Sequence, residues 1–327
     1  MYSSENPKIS YGAQLGIFFG LIGGAIILAA IIQVVFMLSV IDMKTFMSGG
    51  NANNLNKELL NPKNRNILLA MQVVSTFIVF FLPAVVFAKI VHGKSIVYLG
   101  LKVKSNKMQV GLVILLAFFG LGLSGALGEL NELIPISAKL EKKFRAMEAE
   151  YQSQVLAIAT IKNFSDYLIA LIVIAILPAF FEELLFRGVM QQMLEQWSKN
   201  GWVAILITGF IFSVIHLSYY GFLPRFGLGI VLGLIFFYTR NMWLNVLLHF
   251  LNNAVAVTAL YYSNLKGLPP EKVLDEKFPL WVGGIALVIV VYLLQFLYKT
   301  SVANGSHNIN NTIAPNKNPF DGQFAQH

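Results

Sequence analysis

Hydrophobic positions along this chain come in long, nearly unbroken runs instead of alternating stripes. Runs cover about 13–41, 67–91, 109–127, 167–193, 202–217, a short 226–238, 242–262 and 280–298. Roughly 20 apolar residues cross a bilayer core, so the pattern predicts an all-α, polytopic membrane helix bundle of about eight transmembrane helices. Pro83 and Pro178 fall inside the second and fourth runs, where each predicts a kink that neighbouring helices can absorb. In the first run Gly16, Gly20, Gly23 and Gly24 recur mostly at three to four residues, a spacing that lets a second helix approach closely.

The pattern changes once. Between Glu129 and Lys162, the apolar residues Leu140, Phe144, Met147, Tyr151, Val155 and Ile158 recur at helical spacing among Glu141, Lys142, Lys143, Arg145, Glu148 and Glu150. This predicts one amphipathic connecting helix, either lying in the interface, covering an opening in the bundle, or serving as a solvated connector. The chain then divides into a polar tail over 1–12, a bundle over 13–298 and an Asn-, Pro- and Gly-rich tail over 299–327 that is expected to be disordered. Residues 1–12 lack the charged start and cleavage site of a removable signal peptide, and the apolar run that follows is too long for one.

Composition agrees with a membrane protein. Of 327 residues, 56% are hydrophobic and only 12% charged, against about 25% charged in soluble domains. The absence of cysteine excludes disulfides, thiolate metal sites and a cysteine nucleophile. The formal charge of +8 is accounted for by basic loops that set topology and meet anionic head groups, so nucleic acid is not an expected partner. An even number of spans puts both termini on one side. The short, acid-free connection holding Lys94, Lys102, Lys104 and Lys107 favours the cytoplasm for them.

Against this background the stretch Ile174 to Met190, IAILPAFFEELLFRGVM, stands out. Each charge at the centre of a spanning helix costs about 2.5–3.5 kcal/mol on insertion scales. Glu183 and Arg187, four apart with the acid first, are placed to neutralise each other. Glu182 is left over, about 100° around the helix, a candidate general base. Later runs add Phe212 with His216, and His249 with Asn253, each pair four apart on one helix face, with Asn245 and Asn252 nearby. Two histidines and a glutamate suit either a transition metal or a directly activated water, and an Asn beside a His can donate to an oxyanion. Read one by one, His216 suits an interfacial residue, His249 with Asn252 and Asn253 suits interhelical hydrogen bonding, and Glu183 with Arg187 suits a structural pair.

The order Glu182-Glu183-x-x-x-Arg187, Phe212-x-x-x-His216, His249-x-x-x-Asn253 resembles the three motifs of the CPBP (CAAX protease and bacteriocin-processing, or Abi) family of intramembrane proteases, which includes type II CAAX prenyl endopeptidases. The resemblance covers about 165–262. It implies a protease of about eight spans, in a bacterial cell membrane, acting on a peptide or membrane-protein substrate. It also implies that Glu182 and His216 activate water, that His249 and Asn253 stabilise the oxyanion, and that Glu183, Arg187 and Phe212 support them. The family is described both as metal-dependent and as glutamate-dependent, so one divalent metal such as zinc, held by Glu182, His216 and His249, stands beside none. Two other classes fit buried Glu, His and Arg: a transporter or proton-coupled carrier, and a non-enzymatic immunity or scaffold protein. An inverted repeat would favour the carrier, but the intramembrane polar groups cluster in the second half and the first half has no matching set.

Overall fold

The computed structural model describes residues 9–41, 58–158, 161–269 and 278–303. The connection between the first two runs, the tail beyond 299 and the 1–12 segment therefore fall largely outside the described residues. Among those described there is no strand, and the chain is an all-α polytopic bundle.

Among the described residues seven helices are long and apolar enough to cross a bilayer: α1 (Tyr11–Leu38), α2 (Arg65–His92), α3 (Lys107–Glu132), α5 (Phe164–Ser198), α7 (Phe222–Thr239), α8 (Met242–Lys266) and α9 (Leu280–Ala303). The amphipathic α4 (Ala138–Ile158) lies between α3 and α5. The fifth predicted span is α6 (Gly201–Val214), of only 14 residues. At 1.5 Å per residue it is about 21 Å long, short of the ~30 Å hydrocarbon core. The expected eight spans are therefore seven long helices and one short one. His92, one residue past the second apolar run, is the last residue of α2, its ring stacked on Tyr98 at 3.6 Å.

Asparagine starts several of these helices. Asn106, Asn163, Asn200 and Asn241 each accept a hydrogen bond from the first turn of α3, α5, α6 and α8, satisfying backbone donors that lipid would leave bare. Two of the helix junctions are abrupt. Lys199 (φ 54°) precedes Asn200, and Arg240 (φ 49°) precedes Asn241. A left-handed residue followed by a capping Asn turns the chain back within two residues, which packs α6 on α5 and α8 on α7.

α5 and α7 form the centre: 50% and 56% of their apolar windows are buried, against 11% for the peripheral α1. One core joins α1, α2, α5 and α6 through Phe18, Phe87, Leu184, Phe186 and Phe212. A second joins α3, α7, α8 and α9 through Leu116, Leu232, Ile235, Leu248 and Leu297. Outward faces stay apolar, as Phe19, Ile27, Val35 and Val288 illustrate, which suits contact with lipid.

Candidate active site

Both predicted kinks take the form of widened π turns just ahead of the proline: Phe77–Phe81 before Pro83 and Leu171–Ile176 before Pro178. Proline has no N–H to give and its ring crowds the carbonyl one turn back, and a wide turn relieves both problems. Beyond Pro178, Leu177–Leu185 carries Glu182 and Glu183, and a further π turn, Phe186–Gln191, carries Arg187 without any proline to demand it. Such turns inside α-helices recur at functional sites.

Glu183 and Arg187 form the expected ion pair, Oε1 to Nη1 at 2.5 Å, with neither side chain exposed. Arg187 Nη2 donates to the Gly229 carbonyl at 3.1 Å, and its guanidinium lies 4.9 Å over the Phe212 ring. One turn later Gln191 Nε2 donates to the Gly233 carbonyl at 2.9 Å. These bonds require α7 to lie close. Gly229 meets Gly209 of α6 so tightly that a Cβ on Gly229 would stand 2.9 Å from the Gly209 Cα.

Glu183 also accepts from His249 Nδ1 at 2.9 Å through Oε1, and from Asn245 Nδ2 at 3.2 Å through Oε2. Asn245 in turn donates to the Leu232 carbonyl at 2.7 Å. Both Glu183 oxygens are thus occupied, and a carboxylate that accepts from Nδ1 fixes the ring so that Nε2 faces away from it. Glu182 stands on that other side, its Oε2 3.9 Å from His249 Nε2. The two adjacent acids, expected to face different neighbours, address opposite edges of one imidazole. Glu182 is nearly buried, and its Oε2 has no hydrogen-bond partner among the described residues. At 3.9 Å the pair is too long for a direct hydrogen bond but within reach of one bridging water.

Phe212 is buried between the two histidines, edge-on to His216 at 5.0 Å and to His249 at 5.7 Å. The expected His216 on the helix face is instead two residues past the end of α6, in a turn that includes Leu217 at φ 52°. Its Nδ1 donates to the Phe212 carbonyl at 2.7 Å, which leaves Nε2 as the acceptor of the neutral ring. Asn253 follows Asn245 and His249 along the same face of α8, half-buried, and accepts from Asn252 at 3.4 Å.

The expected metal set does not come together. Among the described residues no three His, Asp or Glu side chains converge as ligands. Among the described residues His249, its Nδ1 on Glu183 and its Nε2 turned to Glu182, and His216 each pack against the Phe212 ring without converging on one point. Two residues carried no predicted role. Asn245 sits four before His249, a spacing that marks it for the same face. Arg225, in the first turns of α7, interacts electrostatically with both Glu182 and His216.

α4 roofs this end of the site. Phe144 stacks on Tyr219 at 4.6 Å, Glu148 accepts from the Ser218 hydroxyl at 2.7 Å, and the Tyr151 hydroxyl accepts from Arg225 at 3.3 Å.

The family model for type II CAAX prenyl endopeptidase Rce1-like proteins matches residues 164–255, from the start of α5 to just past Asn253. This is the family whose motifs the three helices resemble. No curated protein and no solved structure matches the chain.

Proposed function

We propose, from the premise that residues 164–255 match type II CAAX prenyl endopeptidases, that this chain is an intramembrane endopeptidase that attacks a peptide bond with an activated water. The observation that carries the reading is Glu182, nearly buried with a free Oε2, facing across 3.9 Å the Nε2 of a histidine whose other nitrogen is held by Glu183.

In this reading Glu182, assisted by His216, takes a proton from water held near His249. The hydroxide adds to the carbonyl carbon of the substrate. His249, which as an imidazolium donates from Nε2 while Nδ1 stays on Glu183, and Asn253 face the oxyanion that forms, in a low-dielectric setting where such donors count for more than they would in water. The proton then passes from Glu182 to the departing amide nitrogen as the C–N bond breaks, giving a carboxylate and an amine. Glu183 and Arg187 act through His249: the ion pair holds the carboxylate, and the carboxylate holds the ring. The likeness to prenyl endopeptidases makes a peptide or membrane-protein substrate the expected class. The domain division, with a protease core inside a larger bundle and both termini on the cytoplasmic side, belongs to the same proposal.

Comparative proteomics of cells carrying the wild-type protein or Glu182→Gln tests it, together with cleavage of reconstituted membrane-protein substrates. Fragments present with wild type should vanish with Glu182→Gln and with His249→Ala at equal expression. Full activity in both variants would sink the proposal.

A further inference from the structure

The chain has five arginines, Arg65, Arg145, Arg187, Arg225 and Arg240, and four of them pair with a carboxylate: Asp166, Glu141, Glu183 and Glu195. Arg225 is the exception. Among the described residues no carboxylate lies within ion-pair distance of it, and its Nη1 is enclosed without a hydrogen-bond partner. The guanidinium lies flat against the chain at Gly221, where a Cβ would collide with Nη1. From above it is covered by Tyr151 of α4, whose ring is 5.3 Å from the guanidinium carbon and whose hydroxyl accepts from Nη2 at 3.3 Å. An arginine at a helix end ordinarily extends its head towards water or lipid head groups. This one is folded inward between α4 and the turn that carries His216.

An enclosed guanidinium N–H without an acceptor keeps the full cost of its lost hydration. Neither Glu182 nor His216, the two site residues that feel its charge, lies within hydrogen-bond distance of it. Glu182 therefore keeps its free oxygen, and Arg225 keeps its free donors.

We infer that Arg225 is a specificity-determining residue that binds a carboxylate of the substrate beside the scissile bond. This rests on the protease reading and names the chemistry that its substrate presents. A carboxylate brought next to Glu182 without a cation would be repelled and would lose its hydration. A guanidinium offers paired N–H donors that match it and remains charged throughout. None of the described side chains of α4 is fully buried, so the Tyr151 cover rests on surface contacts and can give way to a ligand. The carboxylate comes either from the end of the substrate chain or from an Asp or Glu side chain near the cleaved bond.

The test uses full-length protein in detergent carrying Glu182→Gln, so that ligands bind without being turned over. It is titrated with a short-peptide library prepared as free acids and as carboxamides, with Asp or Glu and with Asn or Gln inside. Carboxylate forms should bind about tenfold or more tightly than their neutral partners. Adding Arg225→Gln should bring that ratio to about one, Arg225→Lys should leave it intermediate, and Gly221→Ala, which displaces the guanidinium while keeping its charge, should lower it. Dependence on free acid against carboxamide assigns the chain terminus, and dependence on Asp against Asn assigns a side chain. A ratio unchanged by Arg225→Gln, or no carboxylate preference at the outset, overturns the inference. Carboxylate-selective binding by a protein that, with Glu182 restored, cleaves none of the library overturns the protease reading alone.

Discussion

Replacing Arg187 with Met should be among the most damaging single changes in the molecule, and the geometry says why. Arg187 has no exposure and holds Glu183 at 2.5 Å, the Gly229 carbonyl at 3.1 Å and the Phe212 ring at 4.9 Å. Met fills much of the same volume, so the loss comes mainly from the Glu183 carboxylate, left buried without its cation. Breaking a buried pair this way costs about 3–5 kcal/mol, whereas replacing both partners with neutral groups of similar shape is often nearly neutral. The double variant Glu183→Gln/Arg187→Met should therefore recover most of the lost stability, to within about 1–2 kcal/mol of wild type. It should not recover activity. Without a carboxylate on Nδ1, His249 loses the partner that fixes its orientation, a defect costing about two orders of magnitude or more where a histidine does the chemistry. Unfolding in mixed detergent micelles, read alongside cleavage rate, separates the two effects. Equal destabilisation of single and double variants would refute the orphaned-charge account, and full activity in the double would refute the positioning role of Glu183.

Three further outcomes follow from particular contacts. Gly229→Ala sets a methyl 2.9 Å from the Gly209 Cα and should lower stability in a micelle melt by about 1–3 kcal/mol, while Gly16→Ala, with open space around it, should not. Asn245→Ala leaves a Glu183 oxygen and the Leu232 carbonyl without their donor and should cost about 1–3 kcal/mol; Asn253→Ala should leave the melt within about 0.5 kcal/mol and reduce turnover instead. Phe212→Leu keeps an apolar filler between α5 and α6 but removes the ring that both histidines and Arg187 touch, so activity should fall further than stability, as paired melting and cleavage measurements would reveal.

The long helices were readable from the sequence because lipid imposes one requirement on every residue of a span, and composition reports it directly. The Glu183–Arg187 pair was readable for a similar reason: both partners sit on one helix at a fixed offset. What was not readable depends on where helices end and how they face one another. The apolar run over 202–217 continues past Val214, but the helix does not. Hydropathy cannot register that end, because Ile215 and Leu217 are as apolar in a turn as in a helix. His216 consequently moved from a helix face to a turn. The convergence of Glu182 and Glu183 on one imidazole was equally hidden, since helix geometry gives the angle between neighbours but not the breadth of the ring they meet. Arg225 lies between two apolar runs with nothing in the sequence to mark it, and what sets it apart is that every other arginine holds a carboxylate.

The division of labour between the two glutamates follows from a shortage of cations. Among the described residues Arg187 is the one arginine or lysine in ion-pair distance of the two acids, and Glu183 takes it together with His249 Nδ1 and Asn245. Glu182 is left with a lone-pair oxygen and a facing nitrogen 3.9 Å away, which is a place for a water and not for a bond. Hydrolysis inside a bundle also needs a polar route by which water arrives, and the end of the short α6 is where polar groups collect. Because that helix stops after 14 residues, the chain from 215 to 221 runs as irregular backbone, whose exposed carbonyls and amides can be tolerated near a membrane only against protein or water. Glu148, Ser218, Tyr151 and Arg225 gather at that end, and α4 lies over it. The same short helix that moves His216 off its predicted face thus places it where the apolar core gives way to polar groups, between the buried carboxylate and the amphipathic cover.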